Sequence, residues 1–127
     1  MQNQKSALGL DGNLAAAIGY PIGIIALILI FMEKDNKFVR FHAIQSLLWG
    51  LVGTVAIVAV AIIGVILIFV LGYIASGLGI AAWVIMVLAI VGVVLGLLGG
   101  AVFAAIKAYG GVEFKLPIVG NMAQKWV

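Results

Sequence analysis

Two long stretches of this chain carry no acidic or basic side chain at all. One runs from Leu14 to Met32, the other from Ala43 to Ile106. A charge at the centre of a bilayer costs about 2.5–3.5 kcal/mol on insertion scales, so uninterrupted runs of this kind read as membrane spans. Between them lies one compact charged block, Glu33-Lys34-Asp35-Asn36-Lys37-Phe38-Val39-Arg40, which holds three of the seven basic residues. That block sets the orientation, because lysine and arginine favour the cytoplasmic side.

The composition agrees. Hydrophobic residues make up 66% of the 127 and charged residues 9%, whereas a soluble domain is about half apolar and a quarter charged. A soluble fold of this size has no interior large enough for so much apolar surface, so residues 1–127 read as a single membrane domain. There is no cysteine, which excludes disulfides, thiol catalysis and thiolate metal sites. The net charge of +3 is too small and too scattered for nucleic acid. The first apolar run is about as long as a full span and follows Asp11, so it reads as a retained helix rather than a cleaved signal, whose core is typically about 7–15 residues.

The expected fold class is an all-α integral membrane protein, a bundle of three transmembrane helices with four as the alternative. The first span covers about residues 13–32. Pro21, with Gly19 and Gly23 beside it, predicts a kink or a short interfacial start at Tyr20-Pro21. The stretch from His42 to Gly111 is 70 residues long, room for two long spans or three tight ones at about 20 residues per crossing. Charge favours two, at about 41–70 and 78–109, around a turn in Gly72–Gly79. The block and the C-terminal lysines then share the cytoplasmic side, with Lys5 opposite and the N-terminus outside. Both long helices exceed the hydrocarbon thickness and must tilt or protrude. The tail, residues 110–127, reads as short and amphipathic, with Lys107, Pro117 and Trp126 at the interface.

Candidate sites are few. His42, Gln45 and Ser46 fall at i, i+3 and i+4 on one helix face, with Arg40 beside them. They form either a polar gate or relay near the cytoplasmic mouth, or a set of interhelical hydrogen bonds that fixes packing. Gly92, Gly96 and Gly100 repeat every four residues and open a groove for close helix packing, within the chain or against another subunit. Lys107 reads as a cation snorkelling to the interface, with Glu33 or Asp35 as a partner where the first loop lies alongside. No catalytic, metal or cofactor site emerges. One histidine without cysteine or well-spaced carboxylates makes no metal site, and Ser46 with His42 lacks an orienting acid.

Some segments have a familiar pattern. Ile30-Phe-Met-Glu-Lys-Asp35 leads into Asn36-Lys-Phe-Val-Arg-Phe-His-Ala-Ile-Gln-Ser-Leu-Leu48. The tail carries Tyr109-Gly-Gly-Val-Glu-Phe-Lys-Leu-Pro-Ile-Val-Gly120. Together they resemble an uncharacterised prokaryotic membrane family related to the Tic-twenty-like import component of the chloroplast inner-envelope translocon. The resemblance implies a multi-pass fold and brings no catalytic residue. The expectation is a small non-enzymatic protein of a prokaryotic plasma membrane, an accessory subunit packing against other membrane proteins or itself within the lipid bilayer. The alternative is an oligomeric transporter, channel or translocation component that uses the polar His42/Gln45/Ser46 face.

Overall fold

The computed structural model describes residues 4–127, and its order of elements is α1 (Gly12–Ile18), α2 (Gly23–Met32), α3 (Lys37–Ile74), α4 (Ser76–Tyr109) and α5 (Val119–Gln124). The chain divides into two compact units. One comprises Met1–Gly50 with Leu98–Val127, and the other is Leu51–Leu97. All eleven Lys, Arg, Asp and Glu residues belong to the first unit, and none falls in 51–97.

In the first unit, the run expected to form one span is two short helices. Asp11 starts α1, its carboxylate accepting the Asn13 N–H at 3.4 Å. The helix stops at Gly19 because Pro21 has no N–H to donate and crowds the preceding turn, while Tyr20 before it is biased away from helix. The chain then reverses. Gly19 has no side chain, and a Cβ there would sit 3.4 Å from the Ala26 methyl. The Ala7 N–H reaches the Glu33 carboxylate at 2.7 Å. Helix α2, at 10 residues, is about 15 Å long, half of a 30 Å hydrocarbon core. The single span over 13–32 is therefore replaced by a folded-back pair, and Gln4 and Ala7 lie beside the charged block.

Alanine makes this packing close. Ala15, Ala16, Ala26 and Leu29 are buried with Phe38, Val39, Ala43 and Ala108, and a smaller cluster joins Phe41, Ile44 and Ala123. The tail folds back along α4. The Phe114 ring meets that of Phe103 edge-on at 5.0 Å, and Leu116 lies 3.5 Å from where a Cβ on Gly100 would stand. Pro117-Ile118-Val119 then makes a γ-turn, with the Val119 N–H on the Pro117 carbonyl at 2.7 Å and Ile118 at φ 67, ψ −60. A β-branched residue holds that conformation at a cost of about 1–3 kcal/mol.

The second unit is a helical hairpin, the later part of α3 and the earlier part of α4, joined at Ala75 alone. Both helices are long and apolar enough to cross a bilayer. Only 6% of the most apolar window of α3 and 11% of that of α4 is buried inside the chain. A core helix of a soluble protein is mostly buried, so these faces need lipid or another apolar surface. Of the glycines predicted as a turn, Gly72 and Gly79 pack against each other inside the helices and Gly77 meets nothing within 4 Å; Gly64 and Gly53 are further contact points. A Cβ on Gly79 would lie 2.8 Å from Gly72 Cα, one on Gly64 would collide with Met86, and one on Gly53 would come 2.5 Å from Leu97.

The predicted ladder is divided. Gly100 packs under Trp49, 2.7 Å from the position of a Cβ, whereas Gly92 and Gly96 meet nothing within 4 Å. This sets up a paired test. Gly→Ala in an open helical position usually gains up to about 1 kcal/mol, and Gly92→Ala is expected to do so. Gly79→Ala is expected to lose about 2 kcal/mol instead, because the methyl meets backbone that has no room to yield. Unfolding by SDS titration in mixed micelles reads both.

Candidate functional site: a buried polar clasp

Three segments meet at one hydrogen-bonded group in the first unit. Tyr20 comes from the α1–α2 break, His42 and Gln45 from the first turns of α3, and two backbone groups from the tail. The Gln45 amide donates to the Tyr20 hydroxyl at 2.6 Å and to the Phe114 carbonyl at 3.0 Å. Its oxygen accepts the Leu116 N–H at 2.9 Å. The Tyr20 hydroxyl lies 2.9 Å from His42 Nδ1. Gln45 gives to Tyr20 and Tyr20 gives to Nδ1, which assigns the His42 proton to Nε2. Nε2 faces the Val112 backbone with no partner at hydrogen-bond geometry. His42 and Gln45 are wholly buried, and the rings of Phe38 and Phe41 stand edge-on to the imidazole at 4.7 and 5.1 Å.

Gly120 completes the closure. A Cβ there would come within 2.6 Å of Lys115 Cβ and 2.9 Å of the Gln45 oxygen. This gives the closing Pro-Ile-Val-Gly motif a physical reason: the γ-turn aims α5 back at α3, and only glycine leaves room for the tail to cross itself.

A second group gathers around the charged block. Glu33 is 3% exposed, and its two oxygens accept the Ala7 N–H at 2.7 Å and the Asn36 N–H at 3.1 Å. Asn36 caps α3 through Val39 N–H at 3.2 Å while its amide donates to the Gln4 carbonyl at 2.9 Å. Arg40 Nη1 donates to the carbonyls of Glu33 at 3.0 Å and Ile30 at 3.4 Å. It thus satisfies the exposed end of α2, where a cation is favoured.

The predicted polar face is therefore split. His42 and Gln45 come together. Arg40 serves the end of α2, and the Ser46 hydroxyl donates to the Ala43 carbonyl of its own helix at 2.9 Å. Lys107 does not reach Glu33, which is occupied by backbone N–H groups; its ammonium stands 5.3 Å over the Phe103 ring. Pro117 and Trp126 are both exposed on the tail. Tyr20, Glu33 and Asn36 are the residues that sequence reasoning passed over. The signal for Tyr20 was a lone phenol beside a helix-breaking proline. For Asn36 it was a cap residue just ahead of an apolar helix.

Comparison with known proteins finds a membrane family. Residues 4–123 match a family described as the magnetosome magnetite crystal formation protein family, MamF/MmsF. The chain is similar to the UPF0132 membrane protein MJ1443 of Methanocaldococcus jannaschii, 34% identical over 126 residues, covering 96% of this chain and 94% of that protein. It is also similar to MJ1527 of the same organism, 34% identical over 122 residues and covering 94% and 73%. A UPF0132 membrane protein of Archaeoglobus fulgidus is 31% identical over 121 residues, covering 91% and 94%. No solved structure matches. These relatives support a prokaryotic membrane family and lend nothing to the expected link with the chloroplast import component.

Proposed function

We propose that this chain, which belongs to the MamF/MmsF magnetosome magnetite crystal formation protein family, is a small non-enzymatic membrane protein that works as a structural or accessory subunit. Magnetite formation is said of the family. What supports the subunit role here is the way the polar groups are committed. Tyr20, Gln45, Glu33, Asn36 and Arg40 bond to other parts of the same chain. The faces of α3 and α4, with Gly92 and Gly96, stay uncovered. Small residues on an open helix face allow close approach of another helix in lipid. The lumen-lining alternative asks His42 and Gln45 to face water, and both are buried.

In this reading α3 and α4 are the two spans and the α1–α2 pair enters the membrane only part way. The protein resides in a prokaryotic plasma membrane. All seven basic residues then lie on the cytoplasmic side, with the turn at Ala75 outside, which the positive-inside rule favours.

Native mass spectrometry of the protein released from gentle detergent or native lipid discs tests the subunit role. The expected result is a complex of defined stoichiometry, with itself or with other membrane proteins. A bare monomer under several gentle extractions would overturn it.

A further inference from the structure

We infer that the C-terminal helix α5 and the γ-turn before it form a wedge that inserts one apolar edge into the headgroup–acyl boundary of the protein's own membrane. Ile118 holds a positive φ that glycine adopts without penalty, yet its side chain is 73% exposed. The fold gains no packing from it, so the purpose of an isoleucine there lies outside the chain. The wedge sits at the right depth. The tail runs back from Tyr109 until Leu116 lies beside Gly100, nine residues or about 13 Å along α4. Ile118, two residues on, therefore lies well below Lys107, the last cation of the helix.

The helix has three edges. Val119, Gly120 and Ala123 are buried against the unit. Ile118 at its N-cap, Met122 within it and Trp126 just past its C-cap are exposed apolar side chains spaced four residues apart. Asn121, Gln124 and Lys125 line a polar edge, also exposed. The helix runs back along α3, Gly120 against Gln45 and Ala123 beside Phe41 and Ile44, so its apolar edge, flanked by a polar one and ended by tryptophan and lysine, faces outward across the depth of the interface. A soluble partner would need no such placement against the flank of an apolar helix. Gln45 and Gly120 fix the tail in position, so the wedge is ordered before it meets lipid.

This inference rests on the two-span reading, and one experiment separates them. The chain has no cysteine, so single cysteines can carry a nitroxide label in the full-length protein, held in discs of phosphatidylcholine with phosphatidylglycerol. Electron paramagnetic resonance compares access by oxygen, which partitions into lipid, with access by a water-soluble nickel chelate. Labels at Ile118→Cys and Met122→Cys are expected to show an oxygen-to-nickel ratio severalfold above that at Asn121→Cys. Leu95→Cys, exposed on α4, serves as the span control and is expected to be rich in oxygen. Nickel-rich Ile118 and Met122 with an oxygen-rich Leu95 overturn the wedge alone. Wedge labels reached by neither reagent place that edge in a protein contact and overturn it as well. A nickel-rich Leu95 overturns the two-span reading and the wedge with it. The second position on the edge keeps the test decisive if the Ile118 variant misfolds.

Discussion

Gln45→Ala is expected to release the C-terminal tail and destabilise the first unit by about 3–5 kcal/mol, since each buried partner left unpaired costs about 1–3 kcal/mol. One side chain makes three of the bonds that join α3 to its surroundings. Its loss strands the Phe114 carbonyl, the Leu116 N–H and the Tyr20 hydroxyl together. The stranded backbone groups regain water only if the tail leaves, so detachment is the cheaper response. Hydrogen exchange should report it as lost protection across residues 112–127, with helix α4 unchanged. Trypsin should cut faster at Lys115 and Lys125. Ser46→Ala is the contrast, because its hydroxyl bonds only within its own helix. Protection of the tail equal to that of the unaltered protein would show that packing of Leu116, Val119 and Ala123, not Gln45, holds it.

The second large effect is one of topology. Reporters fused before Met1, inserted at Asp35 and fused after Val127 are all expected to read cytoplasm, and one inserted at Ala75 to read outside. A three-span protein puts the N-terminal reporter outside instead. Two observations favour the same side. Gln4 and Ala7 bond to Asn36 and Glu33, and α2 is too short to cross. An N-terminal reporter that reads outside while Asp35 reads cytoplasm would falsify the folded-back arrangement.

How much of this was legible in the sequence depends on the distance between partners. The two long helices were visible because charge is absent over dozens of residues and nothing else hides such a run from water. Their ends were less so. Gly72, Gly77 and Gly79 look like turn residues, but in an apolar helix the lack of a side chain at Gly72 and Gly79 serves close packing, and only Ala75 leaves the helix. The i, i+3 spacing of His42 and Gln45 placed them on one face. What they touch lay out of reach, since Gln45 bonds to residues 69 and 71 positions away. The proline predicted a break at Tyr20-Pro21. A kink and a full reversal begin alike, and the difference is made by bonds from Ala7 to Glu33 and from Asn36 to Gln4, across 26 and 32 positions.

The charge-free stretch 51–97 also bears on how the protein is made. Moving a hydrophilic loop through oil is the chief obstacle to threading two helices into a bilayer, and here the leading edge is Tyr73, Ile74, Ala75 and Ser76, with no charge to dehydrate. On the two-span reading the hairpin enters as a pair, with no charge to carry across. Residues 112–127 are made after both long helices, so Gln45 waits with its amide unclosed until the tail follows. The order of translation thus becomes an order of assembly, membrane first and latch second.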